Sequence, residues 1–172
     1  WSSDVCSSDL APWQAPYLTL SEGMEIDLGG IGKEYAVELP MGLLSEVSEA
    51  PMFVNFGGDI VCNRCPHSGL PWRIGIEDPE AVDEAQQLLE LSSGALATSG
   101  NTKRFIRSND GKRYGHVLNP ITGWHIESAH LLVTVSEENC TRAGMLATFV
   151  MLQGDGAEDF LTRQEVVYWV LR

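Results

Sequence analysis

The chain has 172 residues, 44% of them apolar, and a formal net charge of −13 at pH 7. That length supports a single domain with one sizeable core. The acidity argues against a nucleic-acid surface, which needs a basic stripe, and no apolar run approaches the roughly eighteen residues that a membrane-crossing helix needs.

Residues 1–10, Trp1-Ser-Ser-Asp-Val-Cys-Ser-Ser-Asp-Leu10, repeat Ser-Ser-Asp without hydrophobic periodicity. They read as the translated end of a sequencing adapter and are set aside from the fold. Residues 11–172 are then expected to form one domain, and the natural start, with any export signal or lipid anchor, to lie outside this sequence. Alternation in Tyr17–Leu20 and Met24–Asp27 predicts strands that feed a glycine turn. Ile31–Ser48 reads as a helix with Tyr35, Val37, Leu39, Leu43, Leu44 and Val47 as its apolar positions. Pro40 predicts a kink or break there, because a proline inside a helix costs about 3 kcal/mol. Met52–Phe56 reads as a short buried strand ending at Gly57-Gly58, residues 62–71 as a loop, and Trp72–Ile76 as another strand.

The acidic stretch Glu77–Glu90 is most simply a solvated connection or helix face. Strands are expected at Leu88–Leu91, Ala95–Thr98, Arg104–Arg107, Arg113–Leu118 and Leu131–Ser136, separated by turn signals. Asn139 is a good N-cap for a helix reaching Leu152, with Ala143, Leu146, Ala147, Val150 and Met151 on one face. A short helix, Ala157–Arg163, and a strand, Val166–Leu171, follow. The fold class is α+β, one domain with a largely antiparallel sheet and flanking helices.

With Cys6 set aside, Cys62, Cys65 and Cys140 remain. Cys62-Asn-Arg-Cys65 precedes His67, but haem attachment would need histidine where Pro66 stands, and a zinc site would want a second ligand pair. A loop without chemistry, a disulfide or a weak metal site stay open. Lys103, Arg104, Arg107, Lys112 and Arg113 gather around Asn109-Asp-Gly111, either as a solvated hairpin or as a patch for an anionic ligand.

Four segments suggest phosphate handling with its own acid–base group. Asp27-Leu-Gly-Gly-Ile-Gly-Lys33 sets a carboxylate and a lysine on either side of a glycine turn that opens a helix, and such a helix start presents N–H groups to phosphate. Taken alone, Gly29-Gly30 serves a turn. Asn55-Phe-Gly-Gly-Asp-Ile60 and Ala97-Thr-Ser-Gly100 add two more polar turns. In Tyr114-Gly-His-Val-Leu-Asn-Pro-Ile-Thr-Gly123 a histidine stands beside a loop fixed by Pro120 and Gly123, the rigid support that a general base needs.

These four segments, with Trp72-Arg-Ile-Gly-Ile-Glu-Asp-Pro79 and Ala143-Gly-Met-Leu-Ala-Thr148, stand in an order and spacing that resembles the ApbE family, the FAD:protein FMN transferases. The resemblance covers the later half to two-thirds of a family member. It implies a magnesium-dependent flavinylation, in which FAD is cleaved, AMP is released and FMN is esterified to a threonine or serine hydroxyl of a target flavoprotein. It also implies a bacterial periplasmic or inner-membrane lipoprotein setting.

Carried over by motif position, the FAD contacts would be Asp27, Gly29, Lys33, Asn55, Gly57, Gly58, Asp59, Thr98, Ser99, Gly100, His116 and Val117. His116 would be the catalytic base, and Gly30, through its carbonyl, and Thr148 would hold Mg²⁺. Two departures weaken the implied metal site. Gly144 stands where the family has aspartate, one helical turn before Thr148, and Glu34 stands where it has glycine. A hard cation prefers carboxylate oxygen, so Gly144→Asp is expected to strengthen the site. Whether the Glu34 carboxylate substitutes is not decided by the sequence. A degenerate FAD-binding relative and an FAD pyrophosphatase are the competing readings.

Overall fold

The computed structural model describes residues 11–77, 85–101, 105–126 and 132–171. In chain order the elements are β1 (Trp13–Gln14), β2 (Tyr17–Leu18), α1 (Gly32–Val47), β3 (Phe53–Phe56), β4 (Asp59–Cys62), β5 (Trp72–Glu77), β6 (Ala85–Leu91), β7 (Gly94–Gly100), β8 (Phe105–Arg107), β9 (Arg113–Gly115), β10 (Leu132–Glu137), α2 (Cys140–Gln153), α3 (Ala157–Arg163) and β11 (Val167–Leu171). Five strands form the main sheet in the order β11-β10-β7-β4-β3, every neighbouring pair antiparallel. The α+β class with a largely antiparallel sheet is as expected.

Both faces of the sheet are covered, and strand alternation decides which residue meets which cover. Val61, Ala95, Ala97, Val133 and Val135 face the helices, where they pack with Val37 and Met41 of α1, Ala143, Ala147, Val150 and Met151 of α2, and Leu161 of α3. Their strand neighbours Ile60, Cys62, Leu96 and Leu132 face the other way, onto Ile76, Leu89 and Leu91 of the β5–β6 hairpin. Asn139 caps α2 as read from the sequence, its side chain accepting a hydrogen bond from the Arg142 N–H at 2.8 Å.

Several expectations are corrected. Residues 24–27 form no strand; their alternation finds no ladder partner among the described residues. Helix α1 runs through Pro40 without a break. Val37 and Met41, buried on either side of the proline, anchor both halves to the sheet and offset the lost backbone bond. The positions read as its apolar stripe are mostly solvent-facing: Tyr35, Leu39, Leu43, Leu44 and Val47 are exposed, and only Val37 is buried.

Strand β3 ends at the glycine pair as expected, but it is half-buried to exposed rather than buried, and the pair forms a hairpin turn. Gly57 and Gly58 have φ of +60° and +98°, as a two-residue hairpin turn requires, and they return the chain into the wholly buried β4. Part of the stretch read as a solvated connection is strand β6. Asp78 and Pro79 of the tryptophan motif, Lys103 and Arg104 of the basic cluster, and Leu131 lie outside the described residues.

Gly94 opens β7 with φ of +102°, and a Cβ there would lie 2.8 Å from the Glu137 carbonyl oxygen. The left-handed backbone alone disfavours an L side chain by roughly 1–2 kcal/mol, and the contact with fixed backbone adds to that. Gly94→Ala is therefore expected to lower the urea midpoint of unfolding by a stability loss of about 2 kcal/mol. An unchanged midpoint would contradict this account of the β7 start.

Candidate active site

Segments distant in sequence meet around one cleft of about 1100 Å³. The approach to α1 supplies Asp27, Gly29, Gly30 and Lys33, and the β3–β4 hairpin supplies Asn55, Gly57 and Gly58. The end of β7 contributes Thr98, Ser99 and Gly100; His116 and Val117 come from the segment after β9, and Thr148 from α2. Asp59 alone among the sequence-derived residues is not in the lining. It lies buried beneath the cleft, with Oδ2 2.6 Å from Lys33 Nζ and Oδ1 accepting the Thr98 N–H at 3.2 Å. Lys33 is 45% exposed while Asp59 is buried, so the carboxylate fixes one side of an ammonium group that still borders the cleft.

Local hydrogen bonds explain the shape of each wall. Asp27 Oδ1 accepts the Gly29 N–H at 2.7 Å, which closes the turn leading into α1. Ile31 occupies the N-cap position and offers no side-chain acceptor, so the start of α1 is uncapped beside the cleft, a favourable end for an anion. Asn55 Oδ1 accepts the Gly58 N–H at 2.9 Å. The hydroxyls of Thr98 and Thr134 lie 2.9 Å apart, and those of Ser99 and Thr148 lie 3.1 Å apart, joining β7 to α2.

His116 is exposed at the rim. The loop after it is pinned by Asn119, whose N–H donates to the Trp124 carbonyl at 2.8 Å and whose Oδ1 accepts the Ile121 N–H at 2.9 Å. Edge-to-face packing of Tyr114 on His125, 4.7 Å between ring centres, adds to the support.

Sequence reading missed the apolar wall. Phe53, Ile60, Ile74, Ile76, Leu89, Leu96 and Leu132 also line the cleft, as does Arg73 of β5. The alternation in Trp72-Arg-Ile-Gly-Ile76 was the available signal for β5, but β4 gave none, because a strand buried on both faces has no polar side. In the basic hairpin β8–β9, Arg113 stacks over Phe105 and Lys112 over Tyr114.

Cys62 and Cys65 are free thiols, and Cys62 is part of the core. Burial, and then Cys65, pushes the Cys62 thiol up to about 11. Cys140 is pushed to about 12, first by burial and then by the Asp59, Glu34 and Glu38 carboxylates. Among the described residues no three His, Cys, Asp or Glu side chains gather as a metal cluster.

The ApbE family model matches residues 5–170. The chain belongs to the ApbE family. A relative named FAD:protein FMN transferase from Vibrio cholerae is 35% identical over 132 residues, which is 76% of this chain and 39% of that protein. One of the same name from Escherichia coli K12 is 28% identical over 148 residues, 85% and 42% of the two chains. This ApbE chain thus spans about two-fifths of the length of the curated relatives it matches. Among solved structures it resembles the ApbE protein of Thermotoga maritima (TM-score 0.81, 28% identity, covering 94% of this chain and 54% of that one). It also resembles the Pseudomonas stutzeri flavinyl transferase ApbE (TM-score 0.82, 27% identity, covering 99% and 53%).

The magnesium ion implied by the ApbE resemblance can be tested against the residues present. Gly30, Glu34 and Thr148 all line the cleft, and Glu34 is 6% exposed, with Oε2 buried and without a hydrogen-bond partner among the described residues. A buried carboxylate oxygen without a partner, in a cleft that also offers a hydroxyl and a backbone carbonyl, is the donor chemistry that a hard cation takes, so the residues present fit it. The expectation for Gly144→Asp changes, however. A Cβ at Gly144 would collide with Glu34 Cγ and sit 2.7 Å from Glu34 Oε1, so a side chain there meets space that Glu34 already fills.

Proposed function

We propose that this chain carries the reacting site of a magnesium-dependent FAD:protein FMN transferase, which moves FMN from FAD to a threonine or serine hydroxyl of a target protein and releases AMP. The observation that carries the reading is Lys33, fixed by buried Asp59 at the uncapped start of α1 and facing a cleft with an apolar wall. That arrangement suits a diphosphate at one end and a flat apolar ring at the other.

In this reading Lys33 Nζ and the N–H groups at the start of α1 bind the diphosphate, and Ile60, Leu96 and Leu132 exclude water along the flavin. His116, at the rim where a protein substrate can reach it, takes the proton from the acceptor hydroxyl. The acceptor oxygen bonds to the phosphorus of the FMN half, the bond from that phosphorus to the AMP oxygen breaks, and AMP leaves with the electron pair. Magnesium, when bound, supplies charge neutralisation on the phosphoryl oxygens; Gly30 and Thr148 would help to hold it.

The test is incubation with FAD, Mg²⁺ and an acceptor flavoprotein, followed by in-gel flavin fluorescence after denaturation and by quantification of AMP. The expected result is covalent label and AMP in equal amounts. Free FMN with an unlabelled acceptor would point to the pyrophosphatase instead. FAD bound without either product would overturn the proposal in favour of a binding protein.

A further inference from the structure

A buried carboxylate with one unpaired oxygen is unfavourable unless a cation or hydrogen-bond donor meets it. Glu34 is in that position. It is the third residue of α1, and the nearby Lys33 is engaged with Asp59. Its side chain crosses to α2 and fills the volume where any side chain at Gly144 would stand. Gly144 is one helical turn before Thr148, so the two share a face of α2, and Thr148 Oγ1 is itself 3.1 Å from Ser99 Oγ.

From this geometry we propose that Glu34 is the carboxylate ligand of a divalent cation, with its acid supplied by α1 across the bare backbone of Gly144 rather than by α2. The inference rests on the metal-dependent reading above. Glu34 and Gly144 then act as a pair: the glycine exists to admit the glutamate, and neither can be exchanged alone. A carboxylate added at 144 would share one small volume with Glu34 and repel it.

Binding of Mn²⁺, followed by loss of the free-ion EPR signal, tests the pair without requiring turnover. Glu34→Gln keeps the shape and removes the charge, and it is expected to weaken Mn²⁺ binding by about tenfold or more. FAD affinity measured in EDTA should stay within a few-fold, and stability in EDTA should be equal to or higher than that of the parent, because an uncompensated charge is gone. Gly144→Asp alone should bring no gain in Mn²⁺ affinity. Glu34→Gly combined with Gly144→Asp should bind Mn²⁺ within a few-fold of the parent, and this double variant carries the test should Glu34→Gln not fold.

Mn²⁺ binding that is unchanged in Glu34→Gln, a gain in Gly144→Asp alone, or a parent that binds no Mn²⁺ would each overturn the proposal. Glu34-dependent Mn²⁺ binding in a protein that labels no acceptor would leave this inference standing and remove the transferase reading. Labelling by a protein whose Mn²⁺ site ignores Glu34 would do the reverse.

Discussion

His116→Ala is expected to lower the rate of FMN transfer by about 10²- to 10⁴-fold, the usual share of a general base, while FAD affinity stays within a few-fold. The argument is one of position. His116 stands at the rim, on a segment whose following loop is held by Asn119 and by the Tyr114–His125 contact, so its removal leaves the apolar wall and the Lys33 end of the cleft intact. Single-turnover labelling of an acceptor and fluorescence titration of FAD separate the two quantities. Unchanged labelling would take His116 out of the mechanism, and joint loss of folding and binding would make it a structural residue.

Asp59→Ala should damage both the fold and ligand binding. The Thr98 N–H loses its acceptor in a part-buried place, a loss of about 1–3 kcal/mol. Lys33 loses the carboxylate that sets its direction, and FAD affinity should fall about tenfold or more, the value of one charge-assisted contact. Asp59→Asn distinguishes the effects, since an amide oxygen can still accept from Thr98 but cannot anchor the ammonium. Denaturant unfolding should recover in the asparagine variant while FAD affinity does not. Recovery of both would mean that the charge of Asp59 is irrelevant to the cleft.

Much of the site was legible because turns announce themselves locally. Gly57-Gly58, Asn139 and the Asn119–Gly123 loop each need particular residues for reasons contained within a few positions. What failed were features decided by distant partners. Strand β4, Asp59-Ile-Val-Cys62, is buried on both sides and has no alternation to read. Residues 24–27 alternate but find no neighbouring strand among the described residues. Helix α1 shows solvent most of its apolar positions and buries Glu34, the reverse of what periodicity suggests.

The relation between Glu34 and Gly144 is the sharpest case. The sequence raised Glu34 as a substitute for the missing carboxylate but could not decide it, because the two stand in separate motifs. Only the packing of α1 on α2 brings them into contact, across more than a hundred residues of chain. The apolar wall was missed for a similar reason: Ile60, Leu96 and Leu132 read as ordinary core residues until the sheet places them beside the cleft.

The central claim is that the Lys33 end of the cleft holds a diphosphate while the apolar wall holds a flavin. A crystal structure of the protein soaked or grown with FAD measures this most directly. The account predicts the diphosphate within hydrogen-bond distance of Lys33 Nζ and of the backbone at the start of α1, with the flavin ring against Ile60, Leu96 and Leu132. FAD located anywhere else on the molecule, or bound with its diphosphate turned away from Lys33, would contradict it.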